Sequence, residues 1–187
     1  MNTLTVEEMM VPLTRCAAVS EQATLFEAII ALEETRLTEP QDQNSHALVL
    51  VMNDDLHVTG RLSRFDVIMS LEDGYARMGD IQRYLPTGFT PDFIKHQIEK
   101  FGLWREPLDR LCEKAFHVKA KDIMHTPSRE EYVNADRKVS EALHQMISYQ
   151  LHSLLVMDSQ NDPIGILRLT DVFDRVARTV KSCKGAS

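Results

Sequence analysis

Two stretches of this chain are copies of one another, and a repeated strand-and-helix pattern calls for two like units that build one structure together. A shift of 114 residues carries Glu8-Met9-Met10 onto Asp122-Ile123-Met124, Val19 onto Val133 and Leu25 onto Val139. It also carries Glu27-Ala28-Ile29 onto Glu141-Ala142-Leu143 and Leu32 onto Met146. A shift of 105 then carries Val51-Met52-Asn53 onto Val156-Met157-Asp158, Gly60 onto Gly165, Leu62 onto Leu167 and Asp66-Val67 onto Asp171-Val172. The difference between the shifts places nine extra residues in the first copy, around Thr38–Ser45. Pro40, Asp42 and Asn44 make that stretch a polar loop, which is cheap to lengthen.

Each copy reads strand, helix, strand, turn, strand, helix. Leu25, Ala28, Ile29 and Leu32 stand at i, i+3, i+4 and i+7, and Val139, Ala142, Leu143, Met146 and Ile147 follow the same spacing. That spacing draws one apolar stripe along a helix and predicts core. Leu48–Met52 and Leu154–Met157 are short, apolar and partly β-branched, as buried strands are. Asn53-Asp54-Asp55 and Asp158–Pro163 carry turn chemistry, and Val58–Leu62 and Ile164–Leu167 read as the returning strands. Leu25, Ile29, Leu50, Leu143, Leu155 and Leu167 are expected to be buried.

The pattern divides the chain into a first repeat at 1–72, a helical insertion at 73–117, a second repeat at 118–182 and a tail at 183–187. In the insertion, Thr90-Pro91-Asp92 opens a helix with proline in its first position, and Gly102 ends it. Glu106-Pro107 opens another, with Leu108, Leu111 and Cys112 along one face. This segment is expected to pack on the repeats or on a partner.

Composition narrows the function. The formal net charge of −7 repels a phosphate backbone and argues against general nucleic-acid binding. Cys16, Cys112 and Cys183 are odd in number and form no CxxC pair, which suits a reducing cytosol. Residues 1–10 carry Glu7 and Glu8 and lack the basic, apolar pattern of a secretory leader. The clearest apolar run, Ala47–Met52, is far short of the roughly 20 residues that cross a bilayer. The expectation is a cytoplasmic protein without a membrane span. No GxGxxG, GxxxxGK or HExxH occurs, Cys112 and His117 alone do not make a zinc site, and no nucleophile–base pair can be assembled. An enzyme is therefore not expected, nor a resident metal or obligatory cofactor.

Three features of each copy together resemble the cystathionine-β-synthase (CBS) domain family. An acidic–apolar–Met step opens the copy, at Glu8-Met9-Met10 and Asp122-Ile123-Met124. A strand ends at an amide or acid in its middle, at Leu50–Asn53 and Leu155–Asp158. A Gly-x-Leu-(polar)-x-x-Asp-Val step closes it, at Gly60–Val67 and Gly165–Val172. The resemblance implies an α/β fold of two CBS repeats packed with pseudo-twofold symmetry, with two clefts between them. It further implies a regulatory module that binds an adenosine nucleotide such as AMP, ADP or ATP, or S-adenosylmethionine. A homodimer and a regulated protein partner are implied as well. The alternative is a ligand-free dimerisation platform.

Ser63 ends a strand at the start of a helix, where free amides attract anions such as phosphate. Asp66, three residues on, offers two acceptors suited to ribose hydroxyls, the use that the family makes of this spacing. Ser-x-x-Asp is equally a capping box in which both side chains serve the backbone. The second copy departs from the pattern: Arg168 stands where the first has Ser63, followed by Thr170 and Asp171. Arg168 suits phosphate or fills the cleft, and Thr170 is a candidate helix cap. By the resemblance, each cleft is completed by the opposite copy. Residues 126–132, His152 and Ser153 would complete the Ser63/Asp66 cleft, His152 meeting phosphate or only capping a strand edge. Thr14–Ala18 (Thr14 and Ala18 at its ends), His46 and Ala47 would complete the Arg168/Asp171 cleft, so the two clefts are not expected to be equivalent.

Overall fold

The computed structural model describes residues 3–38, 48–78, 90–105 and 107–183. Its elements run β1 (Val11–Pro12), β2 (Ala18–Ser20), α1 (Leu25–Thr38), β3 (Leu48–Met52), β4 (Val58–Ser63) and α2 (Arg64–Leu71) in the first half. The middle holds α3 (Asp73–Met78), α4 (Pro91–Phe101), α5 (Leu108–His117) and α6 (Ala120–Ile123). The second half holds β5 (Tyr132–Asn134), α7 (Val139–Tyr149), β6 (Ser153–Met157), β7 (Pro163–Arg168) and α8 (Leu169–Cys183). The expected α/β architecture of two strand–helix–strand–strand–helix repeats is the one found. The loop predicted around Thr38–Ser45 lies, beyond Thr38, outside the described residues.

Local chemistry explains the boundaries. Thr24 and Glu27 form a reciprocal cap on α1: the Thr24 amide donates to Glu27 Oε2 at 2.6 Å and the Glu27 amide to Thr24 Oγ1 at 3.2 Å. Thr90 caps α4 ahead of Pro91, and Gly102 ends that helix at φ +65°. In the two hairpins, Asn53 Oδ1 accepts from the Asp55 and His57 amides, and Asp158 Oδ1 from those of Gln160 and Asp162.

The first repeat's sheet has the order β2-β3-β4, with β2 parallel and β4 antiparallel to β3. The second repeat's sheet has the order β1-β7-β6-β5. Here β5 is parallel to β6 and β7 antiparallel to it, while β1 comes from the first half and pairs Val11 with Ile166. This exchange runs both ways. Val6, fully buried, sits in the second repeat's core with Val133, Val139 and Met146, and its amide donates to the Arg137 carbonyl. Ala120, also fully buried, joins Ala28, Val51 and Leu62 of the first repeat, and its amide donates to the Ala23 carbonyl. His125 bridges Arg61 through both backbone groups.

The exchange gives the opening and closing motifs their physical reason. Met10 rests on Gly165 and Met124 on Gly60, so closely that a Cβ on either glycine would stand 2.5 Å from the methionine sulfur. The acid of each opener turns back three residues: Glu8 accepts the Thr5 amide at 2.8 Å, and Asp122 that of Lys119 at 3.4 Å.

Between the sheets, Leu50, Leu155 and Ile166 form the apolar seam that joins the repeats. Leu25, Leu50, Leu155 and Leu167 are buried as expected, whereas Ile29 and Leu143 are half-buried. Ile147, placed in the core by its spacing, is 67% exposed: α7 buries only Val139, Ala142 and Met146, a narrower stripe than the periodicity predicts. The insertion packs on the first repeat. Ala115 of α5 enters the core of Leu25, Leu32, Val49 and Val67, and buried Glu72 accepts the Gly74 and Trp104 amides. Cys112 is exposed, so the buried face of α5 does not include it. No helix among the described residues is long and apolar enough to cross a membrane.

Candidate functional site

The β4–α2 junction brings the first repeat's polar residues to the mouth of a cleft. Strand β4 ends at Ser63 because α2 begins there, and Ser63 and Asp66 form the capping box foreseen as one reading. The Ser63 amide and hydroxyl donate to Asp66 Oδ2 at 2.8 and 2.6 Å, and the Asp66 amide lies 3.4 Å from Ser63 Oγ. The cap engages only one carboxylate oxygen. Asp66 Oδ1 has no hydrogen bond among the described residues.

Across the cleft stand Gln150, Leu151, His152 and Ser153, the approach to β6 of the second repeat. The structure therefore brings Ser63, Asp66, His152 and Ser153 together, in a cleft of about 570 Å³. That volume is within the range of small-molecule sites. Arg64 and Phe65 flank the Ser63 side, and Leu48 gives an apolar floor. Ser153 is buried, and its hydroxyl accepts from Arg61 at 2.7 Å.

Two charged or titratable residues here, Arg61 and His125, are not among the expected cleft residues, whereas Glu131 falls inside the 126–132 stretch without being singled out there. Arg61 and His125 line the cleft. Glu131, only 3% exposed, forms an ion pair with Arg61, lies 2.6 Å from His125 Nε2 and accepts the Ser128 amide at 2.9 Å. Burial pushes the Glu131 carboxyl up, but the Ser128 amide, His125 and the Arg61 charge outweigh it and hold the group below the usual carboxylate range. In the sequence Arg61 stands only inside the closing motif Gly60–Val67, and Glu131 only inside the 126–132 stretch. The one signal is Ser128-x-x-Glu131, a capping-box spacing.

The second copy's equivalents are placed differently. Arg168 makes a bidentate pair with Asp171, Nε to Oδ2 at 2.7 Å and a terminal nitrogen to Oδ1 at 3.0 Å, so both oxygens that would meet ribose are engaged. The pair borders a groove of about 370 Å³ lined also by Met10, Val11, Arg15 and Arg175. Thr170, half-buried in the first turn of α8, is not part of that lining, nor are the exposed Thr14 and Ala18. His46 and Ala47 lie outside the described residues.

Two βαββα units joined face to face, with a polar cleft at their junction, define a paired α/β module. Residues 120–178 match the CBS domain model, and the chain repeats the strand-and-helix order of that stretch in its first half. Among solved structures it is similar to CBSX2 from Arabidopsis thaliana, at 21% identity and a TM-score of 0.60 over 96% of this chain and 97% of that one. It is similar to CBSX2 in complex with AMP, at 19% identity and 0.58 over 95% and 98%. It also resembles the CBS domain of a bacterial CNNM/CorC family Mg2+ transporter in complex with ATP, at 16% identity and 0.54 over 94% and 89%. At these identities the likeness is one of fold. No curated protein matches the chain.

Proposed function

We propose that this chain is a regulatory module that takes up an adenosine nucleotide in the Ser63/Asp66 cleft and passes its occupancy to a partner protein. The observation that carries the reading is the meeting of Ser63, Asp66, His152 and Ser153, drawn from both repeats, in one cleft of about 570 Å³. Similar folds that hold AMP and ATP support it. In this reading the α2 N-terminus and the Ser63 hydroxyl receive phosphate, and Asp66 accepts from ribose through the oxygen that the cap leaves unused. His152, at the facing edge, completes the phosphate side. No obligatory cofactor and no catalytic step is assigned, and the compartment is the reducing cytosol that the cysteine usage favours.

Calorimetry against AMP, ADP, ATP and S-adenosylmethionine tests the reading and separates the ligand classes. Asp66→Ala removes the ribose acceptors. Hydrogen bonds to a charged group contribute roughly 1.5–3 kcal/mol each, so affinity is expected to fall at least about tenfold. Asp171→Ala is the control and should matter less, because Arg168 already occupies that carboxylate. A folded Asp66→Ala protein that binds AMP and ATP as well as its parent would reduce Asp66 to a cap.

A second reading has its own observation. Phe65 and Ile68 on α2, and Phe173 and Val180 on α8, are 70%, 51%, 66% and 63% exposed. These helix faces suit a homodimer, the commonest closed assembly, whether or not the clefts take a ligand.

A further inference from the structure

Arg61, His125, Glu131 and Ser153 form one hydrogen-bonded group on the inner wall of the cleft. Arg61 and His125 face the open cleft, whereas Glu131 borders only a small inner void beside Leu155 and Ile166. The group also spans the junction: Arg61 belongs to β4 of the first repeat, Ser153 to β6 of the second and Glu131 to the turn before β5.

The repeat supplies an internal comparison. The shifts that relate the copies carry Arg61 to Ile166, His125 to Val11, Glu131 to Ala17 and Ser153 to Leu48. The equivalent junction is therefore apolar, with Val11 paired to Ile166 where His125 pairs to Arg61. The fold closes there without a charge. A buried ion pair must repay its desolvation, and a packed apolar set is often as stable or more so. The charged set in the first cleft thus has a use other than closing the fold.

We propose that Glu131 is a built-in counter-anion: it holds Arg61 until the phosphate of a ligand takes Arg61 over, so that occupancy breaks an ion pair between the two repeats. This rests on the nucleotide reading and adds the device by which the cleft is read out. Phosphate and Glu131 compete for one guanidinium, and a ligand moves such a balance only by its differential affinity for the two arrangements. Breaking the Arg61–Glu131 pair loosens the polar half of the junction and leaves the apolar half in place.

Glu131→Gln keeps the shape and an acceptor for Arg61 but removes the competing charge. AMP is expected to bind about three- to tenfold tighter, from the loss of a nearby like charge, while neutral adenosine is unchanged. Weaker AMP binding would mean that Glu131 only aims Arg61, and equal changes for AMP and adenosine would mean a general structural effect; either overturns the proposal. Melting of Arg61→Ala, Glu131→Gln and the double variant without ligand tests the link itself. Each single change should lower Tm and the double should fall no further than the worse single, whereas additive losses would overturn it. If the parent binds neither AMP nor adenosine, the nucleotide reading fails and the exchange with it, and the melting cycle alone decides whether the ion pair joins the repeats.

Discussion

Leu56 sits in the left-handed region at φ +62°, in the first hairpin, and is 75% exposed. The same place in the second hairpin holds Asn161, at φ +64°. Asparagine adopts this conformation at less cost than leucine, and little packing is lost with so exposed a side chain. Leu56→Asn is expected to stabilise the protein by about 0.5–1 kcal/mol, raising Tm by a few degrees in a melting scan. Glu131 gives a pH dependence whose sign is fixed. Its folded pKa is held below the ordinary value, so the unfolded chain binds the proton more readily. The stability it contributes is full above the ordinary carboxylate pKa of about 4.3 and is lost as pH falls through the lower folded value. Melting curves from pH 6 down to pH 3 should show a smaller acid loss in Glu131→Gln than in the parent. Ser63 and Asp66 were legible because a cap is local, three residues apart. The pairing of Arg61 with Glu131 was not, because the two are 70 residues apart and only tertiary packing joins them.

The elements of the two copies follow from periodicity, and the 3.6-residue stripe on α1 and the apolar runs of β3 and β6 place them to within a residue or two. What periodicity does not reveal is which copy each opener packs on. Glu8-Met9-Met10 and Asp122-Ile123-Met124 are recognisable as equivalents, yet each crosses to the other repeat, since a sequence match carries no information about partners. It also fails at Ile147, where the stripe is right in spacing but α7 turns that edge to solvent. The Met-on-Gly contacts can be tested element by element. A Cβ at Gly165 would meet Met10 Sδ at 2.5 Å and the Val11 carbonyl oxygen at 2.8 Å, while at Gly60 the nearest backbone atom, the His125 oxygen, lies 3.1 Å away. A flexible methionine can yield, but the carbonyl of β1 is held in its ladder with β7. Gly165→Ala should therefore cost about 1–3 kcal/mol by denaturant titration, and more than Gly60→Ala.

At the scale of the whole molecule, the exposed apolar faces of α2 and α8 predict the mass in solution. Light scattering should give twice the chain mass of 21.4 kDa at micromolar concentration, and Phe65→Glu with Phe173→Glu should shift it toward a single chain. A parent mass of one chain across a wide concentration range would count against a dimer. The two clefts differ for a reason that composition alone does not show: one junction is charged and the other apolar, and Arg168 closes on Asp171 in the second. The exchanged openers bear on the history of such a chain. Residues 3–12 finish the second repeat and residues 119–125 finish the first, so each copy is completed by the segment that leads into its sibling. A duplication joined in this way has become a single heritable unit. Deleting either half would expose the edge that its opening segment covers in the other.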